Sequence, residues 1–367
     1  MSSSTRTHTF RFLPRPDAMP EYHICIRVTD PELRYENQLS AVLQAASEAA
    51  AGKSVHFRRF FLSDAANQAP ALTRALAALP AVPTCIVQQA PLDGTRIALW
   101  MYGTGQMEAA DGLPAHNGFA HHWAASMTHP GADSRTQMEG IFDTLDGALA
   151  AREMKVARDT VRTWILVRDV DVNYAGVVAG RRAYFDRIGL TASTHYIAST
   201  GIEGRHPDPE RSVEMDVYSV KGLQEGQIRH LYARDHLSPT YDYGVTFERG
   251  TAVTYGDRRQ VFISGTASID AQGKVLHPGD VAAQAGRMLE NVSALLAEAG
   301  AGLKDLAMAI VYLRDPADAP RVREIVSRAC PELEPFYVLG PVCRPAWLVE
   351  MECIALVPGG DPAFRDF

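Results

Sequence analysis

The segment from Cys343 to Pro358 reads C-R-P-A-W-L-V-E-M-E-C-I-A-L-V-P. Taken as one strand, it sends Val349, Met351, Cys353 and Ala355 to one face and Leu348, Glu350, Glu352 and Ile354 to the other. Glu350 then shares a face with Leu348 and Ile354. A carboxylate there is costly unless it is paired, protonated or used. An apolar setting also raises its pKa, which suits a general acid working near neutral pH. The alternative is a strand near a sheet edge, with Glu350 and Glu352 simply solvated.

A second group of chemistry-bearing residues is the histidine cluster His116, His121, His122 and His129. Adjacent histidines on a strand face opposite ways, so His121 and His122 cannot share one metal, and no metal site is expected. The glycines of Gly103-Thr-Gly105 and Thr200-Gly201-Ile-Glu-Gly204 lack the lysine of a phosphate loop and the strand-to-helix setting of a dinucleotide site. They read as turns and imply no cofactor. Thr200 and Gly201 are candidates to line a cleft, because glycine permits close backbone approach.

These residues need elements to hold them. Periodicity predicts helices over 37–51, 70–79, 137–152, 174–188, 281–299 and 319–328. Strands are expected at 22–28, 55–62, 84–88, 161–167, 307–313 and 336–339, with further apolar segments at 96–102 and 119–127. Asp280 is the expected N-cap of the fifth helix and Gly300 its stop. Phe61-Leu-Ser-Asp64, Leu166-Val-Arg-Asp169 and Tyr312-Leu-Arg-Asp315 stand at the same place in three helix–strand–helix units. Such recurrence implies an internal repeat whose aspartates cap the following helices.

A chain of 367 residues with 46% hydrophobic and 22% charged residues is an ordinary globular protein with room for two or three units. Net charge −7 argues against a nucleic-acid partner. No apolar run reaches the roughly 18 residues of a membrane span, and no secretory signal is readable at the N-terminus. Five cysteines without a C-x-x-C pair suit reduced thiols, so a cytoplasmic location is expected.

Val261-Phe-Ile-Ser-Gly-Thr-Ala-Ser268, His277-Pro-Gly-Asp280, Gln284, Val311-Tyr-Leu-Arg-Asp315 and Val349-Glu-Met-Glu-Cys-Ile-Ala355 resemble the Rid (YjgF/UK114) family over about residues 245–357. That resemblance implies an α+β fold, a β-sheet backed by two helices and assembled as a trimer with clefts between sheets. Three units in one chain would make a pseudo-trimer, either monomeric or paired as a homodimer. The expected division is an N-terminal Rid-like domain at 1–130 and a C-terminal domain at 131–367 carrying the catalytic unit. Rid imine hydrolases place an arginine fifteen residues before the first Glu of the last strand; here Pro335 stands there.

A closer resemblance is to the chorismatases, Rid-fold enzymes that act on chorismate. Cys343-Arg344 and Leu348-Val-Glu350 match their last-strand motif, with Arg162-x-Trp164, Gly180-Arg181, Phe247-x-Arg249-Gly250 and Ser264-Gly-Thr-Ala-Ser-Ile269 in support. The resemblance implies a dicarboxylate substrate, Glu350 as catalytic acid or base, and Arg162, Arg181, Arg249 and Arg344 as clamps, since guanidinium forks fit carboxylates. In that family a Cys at position 343 accompanies formation of 3-hydroxybenzoate, and an Ala accompanies hydrolysis. The chain departs from the pattern at Ile165-Leu166, where chorismatases have Asn-Tyr, and at Ala346, where they have Asp.

Overall fold

The computed structural model describes residues 4–367. The first unit runs β1 (Thr5–Phe12), β2 (Glu21–Val28), α1 (Tyr35–Ala50), β3 (Ser54–Leu62), α2 (Ala65–Leu76), β4 (Thr84–Gln88) and β5 (Ile97–Thr104). The second has β6 (Glu108–Ala110), β7 (Leu113–His116), β8 (Phe119–Met127), α3 (Ser134–Ala150), α4 (Val156–Asp159), β9 (Thr160–Val167), α5 (Val170–Ile188), β10 (Ala198–Glu203) and β11 (Val213–Lys221). The third has β12 (Ile228–Leu231), β13 (Gly250–Thr254), β14 (Arg258–Ala267), α6 (Val281–Glu298), β15 (Leu306–Leu313), α7 (Ala319–Ala329), β16 (Phe336–Leu339) and β17 (Val349–Pro358).

The three sheets share one five-stranded topology, to which the second and third add an edge strand, β6 and β12. Their orders are β1-β2-β5-β3-β4, β6-β7-β8-β11-β9-β10 and β12-β13-β14-β17-β15-β16, each ending in one parallel pair. The repeat expected from the three Asp-terminated segments is thus a repeat of whole sheets, and the chain is a pseudo-trimer. A boundary at residue 130 falls between β8 and α3, inside the middle unit; the sheets divide the chain near 105 and 225 instead.

Local signals explain why these elements form. Asp280 caps α6 by accepting from Ala283 N at 3.0 Å, and Gly300 ends the helix region at φ +70. Met288, Val292, Leu295 and Leu296 are fully buried on its sheet-facing stripe, each side chain contributing about 1.5–3 kcal/mol. Asp64 caps α2, which starts at Ala65 and encloses Pro70 rather than beginning there. Asp315 caps the turn ahead of α7. Asp169 does not cap. It is left-handed at φ +48 and pairs with Arg205, while the Glu203 carboxylate accepts from Asp169 N and Val170 N at the start of α5.

The parallel edge strands close a ring around the pseudo-threefold axis. Gln88 bridges to Arg205, Ile202 to Val342, and Pro91 to Val338, so each unit's edge is covered by the next. Rings from the first two units fill the centre: Phe57 lies 4.8 Å from Trp123, and Trp164 lies 6.0 Å from Trp123 and 6.2 Å from Trp100. Among the described residues no helix is long and apolar enough to cross a membrane.

Candidate active site

The final strand begins at Val349. Cys343–Leu348, expected as part of it, is instead a loop in which Pro345 offers no ladder donor and Trp347 N turns back to Arg344 O at 3.0 Å. From Val349 onward the alternation holds. Val349, Met351 and Cys353 are buried on the side that packs α6, while Glu350 and Glu352 face the middle unit. Both carboxylates are buried, so the solvated alternative does not apply.

Glu352 is fully engaged. It accepts from Arg162 Nη2 at 2.7 Å and Tyr312 OH at 3.0 Å, and Thr200 Oγ1 donates to it as well. Glu350 has no hydrogen bond or ion pair among the described residues and opens onto a cavity of about 380 Å³ between the middle and third units. Burial, then the neighbouring Glu352 charge, push its pKa up to about 8, against the opposing pull of Arg249 and Arg162. It therefore carries a proton at neutral pH.

Seven of the eight expected residues line this cavity: Glu350, Cys343, Arg181, Arg249, Arg344, Thr200 and Gly201. The eighth, Arg162, does not. It lies behind the wall, buried beneath Thr200 and tied to Glu352. The other three arginines have only neutral partners. Arg181 Nε donates to Thr246 Oγ1 at 3.0 Å and leaves Nη2 unpaired. Arg249 donates to Ser238 O at 2.9 Å, and Arg344 to Tyr243 O at 3.2 Å. None of them forms an ion pair among the described residues, so three cations face a cavity whose one acid is protonated. The charge of such a pocket is complementary to that of an anion bearing more than one charge.

The cavity also has an aromatic side, of which Tyr174 and Tyr243 carry no motif in the sequence. Tyr174 enters from α5, and Tyr243 and Phe247 from the segment before β13, with Trp347 from the loop before β17. The Arg344 guanidinium sits 4.8 Å over Tyr243 and 5.3 Å over Trp347. Two glycines make room. A Cβ on Gly265 would meet Glu350 Oε1 at 2.2 Å, and one on Gly201 would meet the Tyr174 ring at 2.8 Å. The Cys343 thiol is pushed up to about 12 by burial and by Glu350, so it stays protonated. The departures differ in place: Ile165 and Leu166 are buried in apolar cores, whereas Ala346 is followed by Trp347, whose ring lines the cavity wall.

The repeat also locates the missing Rid arginine. Matching β10 to β16 through their parallel partners aligns Thr200 with Phe336, and so Ser199 with Pro335. Ser199 belongs to the Glu350 cavity, whereas Pro335 faces the first unit, where its carbonyl accepts from Arg27. Arg181 reaches Ser199 Oγ at 3.5 Å, which brings a guanidinium to that position from α5.

The endoribonuclease L-PSP family pattern matches residues 250–357. The 3-aminoacrylate deaminase RutC of Acinetobacter baylyi is 34% identical over 99 residues, covering 26% of this chain and 79% of that protein. The 3-hydroxybenzoate synthase of Streptomyces hygroscopicus is 34% identical over 131 residues, 31% of this chain and 38% of that protein. A crystal structure of a chorismatase superposes with a TM-score of 0.66 at 17% identity, covering 91% of this chain and 98% of its own, which establishes that the whole three-unit fold is shared. The chain belongs to the Rid (YjgF/UK114, endoribonuclease L-PSP) family, in the three-unit form of the chorismatase fold.

Proposed function

We propose that this protein is a chorismatase-type enzyme that releases the enolpyruvyl side chain of chorismate as pyruvate and leaves 3-hydroxybenzoate. The observation that carries the reading is the meeting of three arginines without acidic partners and a protonated, unengaged Glu350 in one aromatic-walled cavity. Arg181, Arg249 and Arg344 would hold the two carboxylates. Glu350 would deliver a proton to the methylene carbon of the enol ether, the step that makes the side chain a leaving group. The similarity to a 3-hydroxybenzoate synthase supports the product, as does Cys343 in the wall. Conversion to 3-hydroxybenzoate and pyruvate takes up no water, whereas hydrolysis to a dihydrodiol acid takes up one. Cys343 as a neutral thiol can donate a proton or pack against the ring, and it would select between these outcomes.

Incubation of purified protein with chorismate, with pyruvate assayed enzymatically and aromatic products separated by chromatography, tests the reading. Stoichiometric pyruvate and 3-hydroxybenzoate are expected; absence of pyruvate release overturns it. Cys343→Ala should move product toward the dihydrodiol acid. Trp347 in the cavity wall favours one second reading, a Rid-fold enzyme acting on another cyclic or enol-containing carboxylate. Pyruvate released from such a compound but not from chorismate would select it, and tight binding without turnover would select a non-catalytic binder.

A further inference from the structure

The first unit lends no side chain to the cavity wall, yet one of its residues ends beside the carboxylate that braces that wall. Arg59 on β3 is fully buried. Its Nε and Nη2 donate to Asp216 Oδ2 of the middle unit at 3.1 and 2.6 Å. The remaining Nη1 makes no hydrogen bond and stands 3.8 Å from Glu352 Oε1 of the third unit. Its guanidinium lies 5.4–5.7 Å from the ring centres of Phe57, Trp100 and Trp164, which enclose it between the first two units. One cation of the first unit therefore touches acids from both other units.

Glu352 in turn holds Arg162 and Thr200, and Thr200 accepts from Gly265 N at 2.9 Å, the glycine over which Glu350 lies. We infer that Arg59 is a positioning residue: from the N-terminal unit it fixes the Glu352 carboxylate, and through it the Thr200–Gly265 wall against which Glu350 works. The inference rests on the proposed function for its kinetic readout only. Glu350 is faced by Glu352 on its own strand, Arg162 from β9, Arg249 from the segment before β13, Tyr174 and Arg181 from α5, and Cys343 and Arg344 from the loop before β17. Arg59 is not in contact with Glu350 itself, so its influence must pass through Glu352.

Arg59→Met paired with Asp216→Asn removes the cation without leaving its acid partner charged and alone. In the folded double variant kcat should fall about tenfold with KM within about twofold, since the clamps are untouched. The Glu350 titration, followed by the carboxyl infrared band that vanishes in Glu350→Gln, should move upward by roughly half a pH unit, because one of the two cations beside Glu352 is gone and only Arg162 still offsets its charge. Arg59→Lys should recover part of both effects, since an ammonium cannot fork between two acids, and it carries the same test if the double variant does not fold. Wild-type kcat with an unmoved titration overturns the inference. A fall in kcat with an unmoved titration overturns it too, by assigning Arg59 a purely structural part. If the wild type does not turn over chorismate, the proposed activity fails alone, and the infrared titration still decides the case of Arg59.

Discussion

The junction between the second and third units and the junction between the first and second place the same positions of the fold against each other. Strand pairing aligns Glu350 with Glu214 and Glu352 with Asp216, and it aligns Thr200 with Cys85. Both leading carboxyls are buried and both are pushed up to about 8, chiefly by desolvation. Their surroundings then diverge. Glu350 meets a cavity, whereas Glu214 is closed in by Ser126 Oγ, which donates to it, and by the Cys85 thiol at 3.6 Å, with Oε2 left unpaired. The third junction has lost the acid altogether: Ala98 takes the place of Glu350 and Phe336 that of Thr200, and Phe336 packs 4.9 Å from Phe61. An acid with a raised pKa is therefore not sufficient for a site here. What separates the junction that holds the cavity from its copy is space, cut by Gly201 and Gly265, and the three arginines that face it.

The sharpest way to break this comparison is to neutralise each acid in turn. Glu350→Gln should lower the rate of pyruvate release by about 10²–10⁴, the range of a lost general acid, while Glu214→Gln should leave it within about twofold. Equal losses in the two variants would erase the distinction. Arg249→Met should raise KM for chorismate about tenfold or more, as expected for loss of a charge-assisted contact, with kcat changed less; an unchanged KM would remove Arg249 from the clamp. Gly265→Ala should lower kcat by roughly tenfold, because the new Cβ comes within 2.2 Å of Glu350 Oε1 and must displace the carboxyl. A neutral result there would show that the glycine does not make the space.

The pH dependence sharpens the same contrast. As a general acid, Glu350 should give a kcat that is flat below about pH 8 and falls above it; a kcat that rises through that pH would make it a base. The smallest effect belongs to Glu214. Its unfolded carboxyl ionises near the ordinary value of 4.5 and its folded one near 8, so stability is fully present below the lower value and declines between the two. Glu214→Gln should remove a slope of up to about 1.4 kcal/mol per pH unit from denaturant-derived stability across that window. An unchanged slope would mean that Glu214 is ionised in the native state.

Much of this was legible in the chain. The third unit, its helix caps and the burial of Glu350 followed from periodicity and from the motif resemblance. The position of Arg162 behind the wall is not legible in its motif, which records which residue recurs and not which way its side chain is tied; its partner Glu352 lies 190 residues away. The tyrosines of the aromatic wall were missed for a related reason, since α5 and the 240–247 segment meet β17 only when the second and third sheets pack together. One signal went unused. Val213-Glu-Met-Asp216 nearly repeats Val349-Glu-Met-Glu352, which marks both the repeat and the buried counterpart of the site.

The ring closed by Gln88–Arg205, Ile202–Val342 and Pro91–Val338 has a consequence for counting. In a ring of three identical chains, every substitution is written three times, and a residue good for catalysis must also be tolerable as glue. A single chain of 40.1 kDa escapes that rule. Its junctions differ in make-up: one is a vessel, one a polar knot and one an apolar seam. A calorimetric titration should accordingly saturate at one equivalent of dianionic ligand per chain, where a ring of three identical chains would take three.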